Sequence, residues 1–206
     1  MTVLVDRRIE RSRAAILSGA TAVFLRNGYD GTSVDDIARE AGVAKRTVYN
    51  IFEDKEALFR ETVSAAIEIA ERFSAELSEE TELMRDVAAD LPRIARRLAS
   101  AVLAGPVLDL RRLVVSESRR FPELAVEYRR RAPELVMRAL SSALRKVGDS
   151  GKLRIDNADV AAEHFAFLIM GADLDRGMFS VAVGSERRIR ERADAGTAVF
   201  LRAYAV

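Results

Sequence analysis

The chain has 206 residues, 49% hydrophobic and 32% charged, the make-up of a globular protein that buries a core without disulfide or metal staples. Lys plus Arg number 33 and Asp plus Glu 32, so the formal net charge is +1, which excludes a protein that coats nucleic acid by bulk charge. Zero cysteines exclude a disulfide scaffold, a thiolate metal site and a cysteine nucleophile, and the single histidine, His164, disfavours a His-rich metal site or a Ser-His-Asp triad. No catalytic residue, metal or cofactor is therefore expected. The longest run free of charge, Ala14 to Leu25, is twelve residues, short of the roughly 20 needed to span a bilayer. No apolar segment with a small-residue cleavage site opens the chain, so no leader, no membrane partner and a cytoplasmic location are expected.

Ala, Leu, Arg and Glu dominate and strict period-2 alternation is missing, so the pattern predicts an all-α protein of about nine helices. A first helix is expected from about Arg7 to Asn27, burying Ile9, Ile16, Ala20, Val23 and Phe24 and stopping at Gly28. Thr32 or Ser33 caps a short second helix through Ala41, with Val34, Ile37, Ala38 and Ala41 inward and Asp35 and Asp36 near its positive end. Gly42 breaks it, and a third helix follows from Ala44 to Phe52, with Val43 and Val48 inward. Asp54 caps a fourth that runs on past Leu58, through Val63, Ile67 and Ala70. Two short helices hinged at a glycine and packed on a longer one make a helix-turn-helix pattern. Its third helix leaves Lys45, Arg46, Thr47, Tyr49 and Asn50 off the buried side. Cations, phenols and hydroxyls suit phosphate oxygens, and Arg, Lys and Asn also suit base edges.

The run from Thr32 to Phe52, TSVDDIAREAGVAKRTVYNIF, followed by Lys55 and Leu58, closely resembles the amino-terminal domain of TetR-type transcriptional regulators. The likeness extends over about Arg7 to Phe59. It implies a three-helix DNA-binding domain on residues 1–53 and a larger helical-bundle domain on 54–206 that binds a small effector and dimerises through its last two helices. Carried over position by position, it implies that Lys45, Arg46, Thr47, Tyr49 and Asn50 face a double-stranded DNA operator. Thr32 or Ser33 would then meet a phosphate at the start of the second helix, and Lys55 another at the start of the fourth. Two positions depart from the family pattern. Ala44 stands where Ser or Thr is more usual, which removes a helix cap, and Ile51 stands where His is frequent.

Further along, helices are expected at Leu83 to Ala104, bent at Pro92 and ended by Gly105-Pro106, and at Val107 to Arg120. Glu123 to Val147 follows, kinked or split at Pro133, and Gly148 to Gly151 reads as a loop. Asp156 or Asn157 opens a helix through about Met178, and Ser185 caps the last one, through Tyr204. The stretch Glu117 to Leu124, ESRRFPEL, is similar to a run joining two central helices in a large TetR subgroup. Its residues read as architecture: Phe121 packs at the junction, Pro122 starts a helix, and Glu123 sits at its positive end. Val160, Ala161, His164, Phe165, Leu168, Ile169 and Ala172 on one of the last two helices, with Ile189, Ala193, Gly196, Thr197, Phe200 and Tyr204 on the other, read as a homodimer interface. There the small residues Ala161, Ala172, Ala193 and Gly196 allow close approach. Phe73, Met137, Phe165, Phe167 and Met170 are the candidate lining of an effector pocket, though each suits an ordinary core better.

The expected function is a ligand-responsive repressor, released from its operator by a small molecule. The alternative is a helical adaptor that has lost DNA binding, and an enzyme is not expected. Charge is local: Arg7 to Phe52 carries eight bases and five acids. That surplus suits a reader of a short site.

Overall fold

The computed structural model describes residues 2–82, 84–104, 106–179 and 184–206. Among these, every regular element is helical, eleven helices where about nine are expected. The first four are α1 (Thr2–Asn27), α2 (Val34–Glu40), α3 (Lys45–Ile51) and α4 (Lys55–Glu82). Then come α5 (Val87–Leu103), α6 (Pro106–Ser116), α7 (Pro122–Arg131) and α8 (Pro133–Asp149), and last α9 (Ala158–Met170), α10 (Ala172–Met178) and α11 (Glu186–Ala203). Both additional helices come from breaks. Pro133 splits the expected Glu123–Val147 helix into α7 and α8, since its ring and missing N–H stop the turn before it. Gly171 separates α9 from α10. The expected loop at Gly148 begins later, because α8 continues through Asp149. The expected start at Leu83 and stop at Gly105 lie outside the described residues.

Local side chains set most helix starts. Ser33 caps α2 in a full capping box with Asp36, and Asp54 accepts the Ala57 N–H at 2.7 Å at the start of α4. Asp86, Asn157 and Ser185 cap α5, α9 and α11 in the same way. Pro92 lies inside α5, which stays continuous around it.

The chain packs as two compact units. One comprises Met1–Ile67 with Leu113–Val126, the other Glu68–Arg112 with Glu127–Val206. In the first, Ile16, Ala20, Val23, Phe24, Ile37, Val48, Phe52, Leu58 and Phe59 are buried. Ile9, expected on that face, is 50% exposed: α1 begins at Thr2 and its amino-terminal turns reach beyond the helices that cover Ile16 to Phe24. In the second unit, Leu77, Ile94, Leu98, Leu140, Leu144, Phe165, Ile169 and Phe200 form one core.

In that second unit α9 and α11 pack side by side, and the small residues expected to admit a partner helix are used here instead. Ala161, Ala193, Gly196 and Thr197 are buried within the protomer. A Cβ built on Gly196 would lie 2.3 Å from the Leu168 carbonyl oxygen, so α11 rests on the backbone of α9. Ile189, Phe165, Ile169 and Phe200 are core residues too. Exposed apolar side chains of this pair are Val160 and Phe167 on α9 and Val199 on α11. His164 is exposed, its Nδ1 2.7 Å from the Tyr204 hydroxyl.

Candidate nucleic-acid interface

The helix-turn-helix is built from short-range rules. Four residues, 41–44, join α2 to α3. The Ala41 N–H donates to the Ile37 carbonyl (2.9 Å), and the Val43 N–H donates to the Ala38 carbonyl (3.0 Å). Gly42 takes φ 65°, the left-handed conformation that turns the chain between them at no Cβ cost. Val48 is the buried residue of α3 and anchors it to the core.

This anchoring rotates one row of side chains outward. Lys45, Arg46, Tyr49 and Asn50 are exposed, Tyr49 by 49%, and Thr47 is half-buried. The Lys45 ammonium lies 2.8 Å from Asp35 Oδ2, and this bond raises its affinity for the proton, so it stays cationic at neutral pH. Among the described residues, no side-chain hydrogen bond or ion pair engages Arg46, Thr47, Tyr49 or Asn50. A phenol, a guanidinium, a carboxamide and a hydroxyl thus stand on one short helix, ready for an external partner.

Ala44 at the start of α3 has extended backbone (φ −70°, ψ 144°) and offers no side-chain cap. A serine fits this conformation and would accept a first-turn N–H, so Ala44→Ser is expected to stabilise the protein by about 1 kcal/mol. In thermal unfolding that is a rise of roughly 2–4 °C. An unchanged transition would show that the first turn of α3 does not gain from a cap.

Three of the expected contacts have partners inside the protein. Thr32 is 3% exposed and its hydroxyl donates to the Gly28 carbonyl at 2.7 Å, so it closes the α1–α2 turn. Ser33 is exposed, but its hydroxyl is committed to the Asp36 capping box, whose hydrogen bond holds the Asp36 carboxyl below its ordinary range. The Lys55 ammonium donates to the Tyr29 and Thr32 carbonyls (3.0 and 3.1 Å) and lies 4.3 Å from the centre of the Tyr29 ring. It ties down the turn with two of its three N–H groups. Composition could not distinguish these uses, because a hydroxyl or ammonium serves a backbone carbonyl and a phosphate equally well.

In the second unit four of the five expected effector residues belong to one core or pack against it. Phe165 is fully buried and Met170 nearly so, while Phe73 and Met137 pack partly buried against the same core. Phe167, the fifth, is 60% exposed. A cleft of about 350 Å³ is lined by Arg96, Arg97 and Ser100 of α5 with Glu186 and Arg190 of α11. The Ser100 hydroxyl is buried there without a partner. Arg97 bonds Glu80 at 2.7 Å and covers the Phe73 ring at 5.3 Å, so Phe73 neighbours the cleft through that arginine. The unpartnered hydroxyl and the ion-paired arginines gave no sequence signal, since their juxtaposition comes from two helices about ninety residues apart.

Comparisons with known proteins place these features. Residues 16–62 match the model of bacterial regulatory proteins of the tetR family, and residues 89–206 match that of the AefR-like transcriptional repressor C-terminal domain. The HTH-type transcriptional regulator RutR of Escherichia coli (strain K12) is 31% identical over 130 residues, 55% of this chain and 61% of RutR. A crystal structure of a TetR-family transcriptional regulator from Mesorhizobium loti aligns with TM-score 0.84 and 30% identity, over 97% of this chain and 99% of that one. The flavonoid-responsive regulator FrrA aligns with TM-score 0.63 and 27% identity, over 95% and 98% of the two chains. With a matched helix-turn-helix at one end and a matched helical bundle over more than half its length, the chain belongs to the TetR family of bacterial transcriptional regulators.

Proposed function

We propose that this protein is a sequence-specific DNA-binding transcriptional regulator, a homodimeric repressor released from its operator by a small molecule. The observation that carries this is the outward row of α3, where Arg46, Thr47, Tyr49 and Asn50 are uncommitted beside a cationic Lys45. These five are the proposed DNA contacts. Residues to about 53 would do the reading, and residues 54–206 would hold the effector and the dimer interface. Val160, Phe167 and Val199, large apolar side chains left exposed on α9 and α11, support a dimer through these helices. Two recognition helices related by a twofold axis would meet half-sites about 34–36 Å apart, or a multiple of that.

The α5–α11 cleft is the proposed effector site, for a small molecule presenting a hydrogen-bond acceptor to the buried Ser100 hydroxyl. Binding there would release DNA to the extent that the effector prefers a conformer with wrongly spaced recognition helices. That FrrA is described as flavonoid-responsive supports an organic effector in this fold.

Selection from a random duplex pool, followed by gel-shift titration of the winners against scrambled duplex, tests the reading. Enrichment of a palindromic site bound by a dimer is expected. A folded dimer that enriches no sequence would overturn it in favour of the adaptor.

A further inference from the structure

Residues 117–121 lie in the sequence of the carboxy-terminal half, yet they pack into the unit that holds the helix-turn-helix. The Glu117 carboxylate accepts the Tyr29 backbone N–H at 3.4 Å. Arg120 forms a two-pronged ion pair with Asp30, donating from one nitrogen to Oδ1 and from the other to Oδ2, the second at 3.2 Å. Its guanidinium also lies 4.9 Å from the Tyr29 ring centre. Phe121 meets Tyr29 edge-on at 5.1 Å, and Phe59 does the same at 5.1 Å. Nearby, Glu123 bonds Arg60, which itself covers Phe121 at 5.2 Å.

All of this converges on one three-residue turn, Tyr29 to Gly31, between α1 and α2. The same turn is held from the other direction in sequence by Lys55, through the Tyr29 and Thr32 carbonyls. Two residues later Ser33 starts α2, so the direction in which α2 and α3 leave the core depends on how this turn is seated. Within α1 to α3 the Thr32 hydroxyl closes the turn on the Gly28 carbonyl, but the exposed Asp30 side chain is held from outside, by Arg120.

We infer that Arg120 is a positioning residue for DNA binding, acting through its fork on Asp30 and its stacking on Tyr29 to set the α1–α2 turn and hence the aim of the recognition helix. This rests on the DNA-binding reading above. The ESRRFPEL run is then more than a helix junction; it completes the reading head from a distant part of the chain. The ion pair is largely solvent-exposed, with Asp30 77% and Arg120 44% accessible at the side chain. Such pairs contribute little to global stability. Their loss is therefore expected to alter aim more than folding.

The test uses the full-length protein and the duplex selected by wild type. Arg120→Ala and Asp30→Ala are each expected to weaken binding about tenfold, and the double variant no more than Arg120→Ala, because that substitution already removes the ion pair along with the stacking on Tyr29. The dependence of affinity on salt should keep the wild-type slope, since no phosphate contact is lost, whereas loss of a direct contact lowers the slope by about one. Thermal unfolding should be nearly unchanged. Wild-type affinity for either single variant would overturn the proposal, as would additive losses. A lowered salt slope for Arg120→Ala alone would overturn it too, by making Arg120 a phosphate contact. Should an alanine variant melt early, Arg120→Lys decides: it keeps the charge and loses the fork, and binding as tight as wild type would sink the positioning role. If wild-type protein selects no duplex, the DNA-binding reading fails and this inference falls with it; if wild type selects one and the variants bind it equally well, only this inference fails.

Discussion

Tyr49→Ala is expected to weaken operator binding by roughly one order of magnitude per half-site, and about a hundredfold for a dimer that loses the contact twice, while unfolding and dimerisation stay at wild-type values. The reasoning begins with burial. Val48 next to it is 1% exposed and fastens α3 to the core, whereas Tyr49 is 49% exposed and touches no ring, carboxylate or cation closely enough to bond. A side chain in that position contributes little to the folded state, so its deletion is close to neutral for stability. On DNA its phenol supplies one hydrogen bond and an apolar face, and losing one good contact to a base or backbone costs about 1–3 kcal/mol. Gel-shift titration at fixed salt, with circular-dichroism melting alongside, separates the two effects. Unaltered affinity would remove Tyr49 from the interface and shift the weight to Arg46 and Asn50.

Gly196→Ala is expected to lower stability by about 2 kcal/mol or more, with a fall in melting temperature of at least 4–8 °C. The new methyl would sit 2.3 Å from the Leu168 carbonyl oxygen, 2.6 Å from its carbon and 2.9 Å from the Ile169 nitrogen. These are backbone atoms inside α9, and no rotamer change removes them. The two helices would have to separate, loosening Phe165 against Phe200, whose rings meet at 5.2 Å. Alanine's higher helix propensity returns only about 1 kcal/mol, so overpacking wins. Chemical denaturation measures the difference directly. A variant as stable as wild type would mean that α9 and α11 are not pressed together at this point.

Much of the fold was legible because it is governed within a few residues. Asp54 and Ser185 were readable as helix starts, and Ser33 and Asn157 to within one residue (Thr32 or Ser33, Asp156 or Asn157), since a side-chain oxygen caps N–H groups two or three positions ahead. Gly42 and Pro133 were readable as breaks for equally local reasons, one by its φ and the other by its ring. The outward set Lys45, Arg46, Tyr49 and Asn50 followed from knowing that Val48 must point inward, a matter of helical periodicity alone.

What the pattern of residue types left open is where a side chain finds its partner once helices assemble. Thr32 and Lys55 looked like phosphate contacts, and only the packed α1–α2 turn shows them bonding to carbonyls of Gly28, Tyr29 and Thr32. Gly196 looked like an opening for a second subunit until α9 filled the space. Phe167 and Phe165 are two residues apart on one helix, and the neighbouring α11 decides which is core.

The near-neutral total charge shows the same division. By itself the sequence determined that this is an all-helical protein with a helix-turn-helix, no thiol chemistry and a small local surplus of positive charge, because composition, periodicity and capping are properties of short segments. Only the tertiary structure decided that residues 117–121 belong with the α1–α2 turn, 90 positions from Asp30 at the Arg120 contact, and that a cleft opens between α5 and α11. Contacts of that separation form when buried faces choose among many compatible neighbours, and that choice is made by three-dimensional packing, which no local pattern encodes.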